Sequence, residues 1–213
     1  MCFICDNAPA SDSKFLKIKG CPNLRKIGST SFPSTLSSLQ LTNLPSLYFV
    51  DLSSFSSLSC LCIKNCGNAT MFLSLPSSIV EIRLENVLVR SVRLEHTNAS
   101  SIYIYSLPHT THLSLPSCLE NLVVDTTKIT SLPTKKLSLL THIRVWNTPI
   151  TSLSLSPHAV NLNYIDIDCN RLMKIKGLPP KPHKNLYHSF GFSLHLSVPE
   201  TYIQNLRDIH TDR

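Results

Sequence analysis

A pair of apolar residues separated by one position recurs eight times along this 213-residue chain. From first member to first member, the intervals are 23, 22, 21, 20, 20, 21 and 22 residues. The pairs are Leu16/Ile18, Leu39/Leu41, Leu61/Ile63, Ile82/Leu84, Ile102/Ile104, Leu122/Val124, Ile143/Val145 and Ile165/Ile167. Such a period is typical of a repeat array, because one unit cannot bury its apolar face without its neighbours. The chain is therefore predicted to form a solenoid.

Two further apolar positions accompany the pairs. One lies three residues before the first member in seven units: Leu36, Leu58, Ile79, Ala99, Leu119, Leu140 and Leu162. The other lies ten or eleven residues after it: Ile27, Val50, Phe72, Val92, Leu113, Leu132, Leu153 and Ile175. Alternation at the pair places both side chains on one face of a short strand. The other two positions are predicted to close the core from the returning arc.

The clearest units span residues 119–132 and 140–153, which read LENLVVDTTKITSL and LTHIRVWNTPITSL. This pattern resembles the leucine-rich repeat family over residues 13–180. The irregular repeats of 20–23 residues and the Leu-Pro pairs are similar to short leucine-rich repeat proteins of protists and to LP-containing repeats of bacterial effectors. The resemblance implies a horseshoe-shaped leucine-rich repeat solenoid with a parallel β-sheet on its concave face.

The resemblance also implies a turn residue of type Asn, Cys or Thr five positions after the first member of each pair. Five units fit this pattern, with Cys21, Cys66, Thr127, Thr148 and Asn170. Three units depart from it, with Leu44, Val87 and Leu107. The arcs that follow carry prolines such as Pro76 and Pro116, which disfavour helix. The convex side is therefore predicted to be mostly extended or irregular.

Three segments are predicted. Residues 1–12 form an irregular N-terminal segment, residues 13–180 an array of about eight repeats, and residues 181–213 a C-terminal cap. The cap is predicted to contain a short helix that begins at Ser197, with Glu200 three residues later completing a capping box. No apolar stretch approaches the roughly 20 residues that a membrane span requires, and the start lacks a basic, signal-like region. A cytoplasmic location is expected.

The cysteines and histidines indicate no cofactor. Cys2 and Cys5 form a C-x-x-C motif without a second pair, so no metal site is predicted. Cys60 and Cys62 are predicted to lie on the outward face of one strand. The nine histidines are scattered, and none lies in a motif with a nucleophile. The protein is therefore predicted not to be an enzyme.

Function is predicted to reside on the concave sheet, among residues that alternate with the core pairs. The partner-binding residues are predicted to be Arg83, Tyr103, Tyr105, Val123, Asp125, His142, Arg144, Trp146, Tyr164 and Asp166. Tyr, Trp and Arg are enriched in interface hot spots, and a solvent-facing Trp has no role in the core. Basic residues dominate the early units of this face and acidic residues the late ones. These features favour a non-enzymatic protein–protein interaction module: an adaptor, scaffold or regulatory subunit.

Two alternatives remain open. The basic residues near the end of the array favour contact with a phospholipid or nucleic acid, since clustered positive charge binds polyanions. They are Arg171, Lys174, Lys176, Lys181 and Lys184. The likeness to LP-containing effectors also allows the chain to be the recognition fragment of a larger leucine-rich repeat ubiquitin-ligase-type effector.

Overall fold

The computed structural model describes residues 13–28, 32–67, 71–169, 172 and 174–178, and the backbone of residues 187–190 and 195–196. These residues form a parallel β-solenoid of seventeen strands. In chain order the strands are β1 (Phe15–Lys19), β2 (Lys26–Ile27), β3 (Ser38–Leu44), β4 (Phe49–Asp51), β5 (Cys60–Cys66), β6 (Phe72–Ser74), β7 (Glu81–Val87), β8 (Ser91–Arg93), β9 (Ser101–Leu107), β10 (His112–Ser114), β11 (Asn121–Thr127), β12 (His142–Trp146), β13 (Ser152–Ser154), β14 (Tyr164–Asp168), β15 (Lys174–Lys176), β16 (Tyr187–Phe190) and β17 (His195–Leu196).

Nine strands make one continuous sheet, here called the main sheet. Its order is β1-β3-β5-β7-β9-β11-β12-β14-β16, and every pairing is parallel. Leu39 pairs with Leu61, and Ile143 pairs with Ile165, so each apolar pair lies opposite the next one. One sequence repeat thus forms one coil, and equivalent residues of successive coils lie opposite each other in the sheet. The predicted solenoid with a parallel sheet is confirmed.

The opposite side of each coil, here called the return side, is less regular. Its short strands form three separate parallel sheets, β2-β4-β6, β8-β10 and β13-β15-β17. A single 3₁₀ turn at Thr134–Lys136 is the only helical segment among the described residues. It follows Pro133, which has no backbone N–H to donate to a strand ladder. The return side is therefore extended or irregular, as predicted.

The core runs through the centre of the coils without interruption. Both members of all eight pairs are buried, and so are the apolar residues three positions before them. Of the third predicted set, Phe72 is the exception, with 52% of its surface exposed. Its neighbour Leu73 pairs with Val50 and packs against the core instead. Phe72 points outward and stacks on Phe49, with ring centroids 5.2 Å apart.

A left-handed residue bends each coil where the main-sheet strand ends. Apart from glycine, six described residues have positive φ, and all lie four positions after the first member of a pair. They are Asn43, Asn65, Asn86, Ser106, Thr126 and Asn147, with φ between 48° and 56°. Gly20 occupies the same position in the first unit, with φ of 70°. Glycine and asparagine tolerate this region best, which explains why they dominate at this corner.

The corner side chains are joined between coils. Asn65 Nδ2 donates to Asn43 Oδ1, and Asn86 Nδ2 donates to Asn65 Oδ1. The donor–acceptor distance is 3.0 Å in both hydrogen bonds. Asn147 Nδ2 donates to Asp125 Oδ1, also over 3.0 Å. The three linked asparagines, here called the asparagine ladder, fix the register of β3, β5 and β7 at this edge.

The residue after the corner turns back into the core. This is the position where the family resemblance implied a turn residue. Its polar and apolar occupants in the described residues are buried, and Asn170 lies outside those residues. Cys66 Sγ donates to the backbone oxygen of Lys64 over 3.1 Å, and Thr127 Oγ1 accepts from the N–H of Ile129 over 3.3 Å. Leu44, Val87 and Leu107 add apolar surface to the core instead.

The main sheet continues beyond the eight strands that the apolar pairs predicted. Strand β16 pairs with β14 and places His188 opposite Ile165, 23 residues away. The pair pattern is absent from this segment, so the sequence did not indicate a ninth strand. The predicted helix from Ser197 and the N-terminal segment 1–12 lie outside the described residues.

Replacing Thr126 with asparagine is expected to stabilise the protein by about 1 kcal/mol, because a β-branched residue is disfavoured at positive φ and asparagine is not. Thr126 has φ of 51°, and its side chain is exposed. Urea unfolding followed by circular dichroism measures the gain. Thr130→Asn is the matched control, since Thr130 is exposed in the same unit and lacks positive φ. Equal stability of the two variants would contradict the prediction.

Candidate functional site

The pairing of the main sheet aligns its outward residues in three rows that run across the strands. The first row contains Phe15, Ser38, Cys60, Glu81, Ser101, Asn121, His142 and Tyr164. The middle row contains Lys17, Gln40, Cys62, Arg83, Tyr103, Val123, Arg144 and Asp166. The third row contains Lys19, Thr42, Lys64, Glu85, Tyr105, Asp125, Trp146 and Asp168. Together they form the outer face of the main sheet.

Arg144 is held in place by two residues of the next strand. Its Nε donates to Asp166 Oδ2 over 2.8 Å, and its Nη2 donates to Tyr164 Oη over 2.9 Å. Tyr164 Oη in turn donates to the same carboxylate oxygen over 3.1 Å. The three side chains therefore form a closed triangle of hydrogen bonds that fixes the plane of the guanidinium group.

Asp166 differs from its predicted role as an exposed acidic residue of this face. Only 5% of its side chain is exposed, compared with 39% for Arg144. A buried carboxylate requires a charged, hydrogen-bonding partner, and Arg144 supplies one. Asp166 therefore positions Arg144, and its charge is compensated within the protein.

Aromatic rings surround the same arginine. The guanidinium carbon of Arg144 lies 4.5 Å from the Trp146 ring centroid and 5.9 Å from that of Tyr164. His142 stacks on Tyr164 from the neighbouring strand, with centroids 5.8 Å apart. Trp146 Nε1 is buried and has no hydrogen-bond partner in the described structure. An unsatisfied buried donor of this kind costs about 1–3 kcal/mol of folding free energy.

A second arginine lies three strands away on the middle row. The guanidinium carbon of Arg83 lies 5.2 Å from the Tyr105 ring centroid, and its Nη2 lies 3.6 Å from Glu85 Oε2. Lys64 Nζ approaches Glu85 Oε1 to 2.5 Å. The Lys64 hydrogen bond, assisted by the charges of Lys64 and Arg83, lowers the pKa of the Glu85 carboxyl. Glu85 is thus ionised at neutral pH, and two cations share its charge.

A depression of about 410 Å³ lies beside Arg144 on this face. Its wall includes Tyr103, Asn121, Val123, His142 and Tyr164. Most of the lining is side-chain carbon, so the depression can accept an apolar group next to a fixed cation.

The ten predicted binding residues all lie on the outer face of the main sheet. His142 and Arg83 are exposed, Asp166 is buried, and the others are half-buried. The structure gathers His142, Arg144, Trp146, Tyr164 and Asp166 into one cluster, and pairs Arg83 with Tyr105 in another. Val123 and Tyr103 lie between these clusters.

Asp125 belongs to neither cluster. Its Oδ1 accepts hydrogen bonds from Thr126 Oγ1 over 2.9 Å and from Asn147 Nδ2 over 3.0 Å. Asn121 lines the depression without having been among the predicted residues. Its place in the first row, beside Val123 in β11, was the signal that would have found it.

Burial favours the protonated form of the Cys62 and Cys66 thiols. Cys60 and Cys62 are half-buried on the outer face, as the alternation predicted. Burial raises the pKa of Cys62, and it raises the pKa of Cys66 to about 11. The thiols of Cys62 and Cys66 therefore stay protonated at neutral pH, and the protonated form is a poor nucleophile.

The alternative basic surface lies on the return side. Lys174 and Lys176 flank the buried Ile175 of β15 and are exposed, and Lys135 and Lys136 are exposed in the 3₁₀ turn. Arg171, Lys181 and Lys184 lie outside the described residues. These lysines are on the opposite side of the coils from the aromatic face.

Within the described ranges, no group of three or more His, Cys, Asp or Glu residues is placed to hold a metal ion. In the same part of the chain, no helix has the length and hydropathy needed to cross a bilayer.

The sequence matches none of the protein-family models and none of the curated proteins compared with it. The site must therefore be interpreted from its own chemistry.

Proposed function

We propose that this chain is a leucine-rich repeat protein that binds a protein partner and has no catalytic activity. In this proposal the solenoid is a horseshoe, the main sheet is its concave side, and the partner contacts the outer face. Such a module serves as an adaptor, a scaffold or a regulatory subunit. The observation that carries the proposal is the arrangement around Arg144. Asp166 and Tyr164 hold its guanidinium group by hydrogen bonds, and the rings of Trp146 and Tyr164 lie against it.

The composition of the cluster supports binding to a protein. Trp, Tyr and Arg are the residues that most often dominate the energetics of protein interfaces, and here they adjoin. The unpaired Nε1 of Trp146 offsets part of the stability that this side chain contributes, and an acceptor on a partner would satisfy it.

The rigidity of the cluster supports the same proposal. Binding normally costs about 0.5–1.5 kcal/mol for each long side chain that becomes ordered at an interface. Arg144 is already ordered by Asp166 and Tyr164, and Tyr164 also stacks on His142. The conformational entropy of these side chains is therefore already lost on folding, so ordering them does not weaken the binding of a partner.

Affinity capture from lysate with quantitative mass spectrometry tests the proposal. The test variant combines Tyr103→Ala, Tyr105→Ala and Trp146→Ala. The matched control combines Tyr48→Ala, Phe49→Ala and Phe72→Ala, which removes three aromatic side chains from outside the outer face. Circular dichroism melts establish that all the proteins are folded before capture.

We expect a protein that wild type and the control retain and the test variant loses. Recovery of that protein with purified components, and its crosslinking to the outer face, would identify the partner directly. Equal capture by all three proteins would overturn the proposal. Loss of all capture in high salt, with the test variant unaffected, would instead favour polyanion binding by the return-side lysines.

A further inference from the structure

The middle row of the outer face contains three basic residues, Lys17, Arg83 and Arg144. From Lys17 to Arg144 it contains no acidic residue, and Asp166 beyond Arg144 is buried and paired. The nearest carboxylates in the third row are engaged, since Glu85 contacts Lys64 and Arg83 while Asp125 accepts two hydrogen bonds. The cations of this row are therefore the exposed Lys17 and the partly exposed guanidinium groups of Arg83 and Arg144, each of which contacts one carboxylate of the protein.

Arg144 is oriented to accept a further anion. A guanidinium group has five N–H donors in a planar fork. The Nε side of the group is occupied by Asp166 and Tyr164, while Nη1 carries no hydrogen bond within the described residues. The Nη1 side therefore faces away from the internal triangle, with the plane of the group already fixed. A second carboxylate matches this geometry, because Arg and carboxylate pair through two parallel hydrogen bonds.

The spacing of the two arginines selects the backbone conformation of the ligand. They are three strands apart, which corresponds to about 14 Å at the usual separation of paired strands. An extended peptide advances about 3.3 Å per residue, so residues i and i+4 lie about 13 Å apart and on the same side. Residue i+2 also faces that side and lies midway, between Tyr103 and Val123.

The position midway between the arginines is suited to an apolar side chain. Val123 and Tyr103 lie on the middle row between Arg83 and Arg144, and both line the depression of about 410 Å³. An acidic side chain here would have no cation within the depression other than Arg144. An apolar one would be removed from water by Val123 and Tyr103.

We propose, on the basis of the proposed function, that the middle row binds an extended acidic segment of the partner protein. The segment has an acidic residue at i, an apolar residue at i+2 and an acidic residue at i+4. The two carboxylates pair with Arg83 and Arg144, and the apolar side chain lies between them, over the end of the depression formed by Tyr103 and Val123. The segment crosses the strands of the main sheet rather than adding a strand to its edge.

Flanking charges favour a peptide over a nucleic acid. Glu81 lies in the first row, two residues before Arg83 in β7, and Asp125 and Asp168 lie in the third row on either side of Trp146. A continuous phosphate backbone would bring a negative charge to these carboxylates at every step, whereas the peptide carries two negative charges, one for each arginine.

A fluorescent, end-capped heptapeptide tests the inference. It has glutamates at its second and sixth positions, leucine at its fourth and serine elsewhere. One control peptide has glutamines in place of the glutamates, and another moves the glutamates next to the leucine. Fluorescence anisotropy with the full chain is expected to show binding of the first peptide and at least tenfold weaker binding of both controls.

Variants of the protein assign the contacts. Arg83→Gln is expected to weaken binding about fivefold, as the loss of one half-exposed ion pair. Arg144→Gln is expected to weaken it at least tenfold, and Arg90→Gln, which removes an exposed charge outside the outer face, not at all. Because Arg144→Gln leaves Asp166 buried without its partner, Arg83→Gln serves as the variant whose folding is not at risk.

Absence of saturable binding up to millimolar peptide would overturn the acidic-segment inference, as would equal affinity for the glutamine peptide or unchanged affinity of Arg83→Gln. None of these results would overturn the interaction module itself. That proposal fails only if the aromatic triple variant captures the same proteins as wild type. The acidic-segment inference and the interaction-module proposal can therefore be refuted independently of each other.

Discussion

Replacing Ile104 with alanine is expected to lower the free energy of unfolding by about 3–4 kcal/mol, the middle of the range for large-to-small changes in a packed core. Ile104 is fully buried in β9, and it pairs with Leu84 on one side and Val124 on the other. A cavity at this point is surrounded by coils on both sides, so neighbouring side chains have little freedom to fill it. Urea denaturation followed by circular dichroism measures the loss.

Tyr103→Ala is the matched control for Ile104→Ala. It lies next to Ile104 in the same strand, but its side chain is on the outer face and half-buried. Its expected cost is about 1 kcal/mol, because much of its ring surface is already in contact with water. A loss for Tyr103→Ala as large as that for Ile104→Ala would show that the inward and outward faces of β9 are misassigned.

The second large effect is expected at the asparagine ladder. Replacing Asn65 with valine should cost about 3 kcal/mol, combining the penalty for a β-branched residue at positive φ with the loss of two hydrogen bonds. Asn65 has φ of 53°, donates to Asn43 and accepts from Asn86. Denaturant unfolding of the variant measures the sum of these contributions.

Asn65→Gly separates the two contributions. Glycine adopts positive φ without strain but cannot continue the ladder, so it should cost about 1 kcal/mol. The difference between the valine and glycine variants then reports the backbone conformation alone. If the two variants were equally stable, the left-handed corner would not exist in solution.

The corner itself could have been predicted. Gly20, Asn43, Asn65, Asn86 and Asn147 all lie four positions after the first member of a pair, and these residue types favour positive φ. The turn residue that the family resemblance implied lies at the following position, one residue after the left-handed corner. Ser106 and Thr126 carry no such preference, and the coils on both sides impose their conformation.

The composition of the outer face followed from the sequence, but its internal contacts did not. Alternation placed all ten predicted residues on that face, because side chains of a strand alternate between its two sides. Whether Asp166 meets a partner or Arg144 depends on the rotamers of residues 22 positions apart, and periodicity carries no information about rotamers. The burial of Asp166 and the orientation of Arg144 therefore emerged only from packing.

The ninth strand and the orientation of Phe72 are two further features that the apolar pattern of the sequence did not predict. Strand β16 pairs in the main sheet without the apolar pair that marked the other eight, because the ladder of the adjacent coil supplies its hydrogen-bond partners. Phe72 occupies a position that is apolar in all eight units, yet the register of β6 turns Leu73 inward instead.

The sequence by itself determined the solenoid, the eight core pairs and the register of coil on coil, since burial of a recurring apolar pair leaves one solution. The tertiary structure alone decided which charges on the outer face are compensated and which remain free. That outcome depends on contacts between residues of different coils, and a pattern within one coil does not specify them.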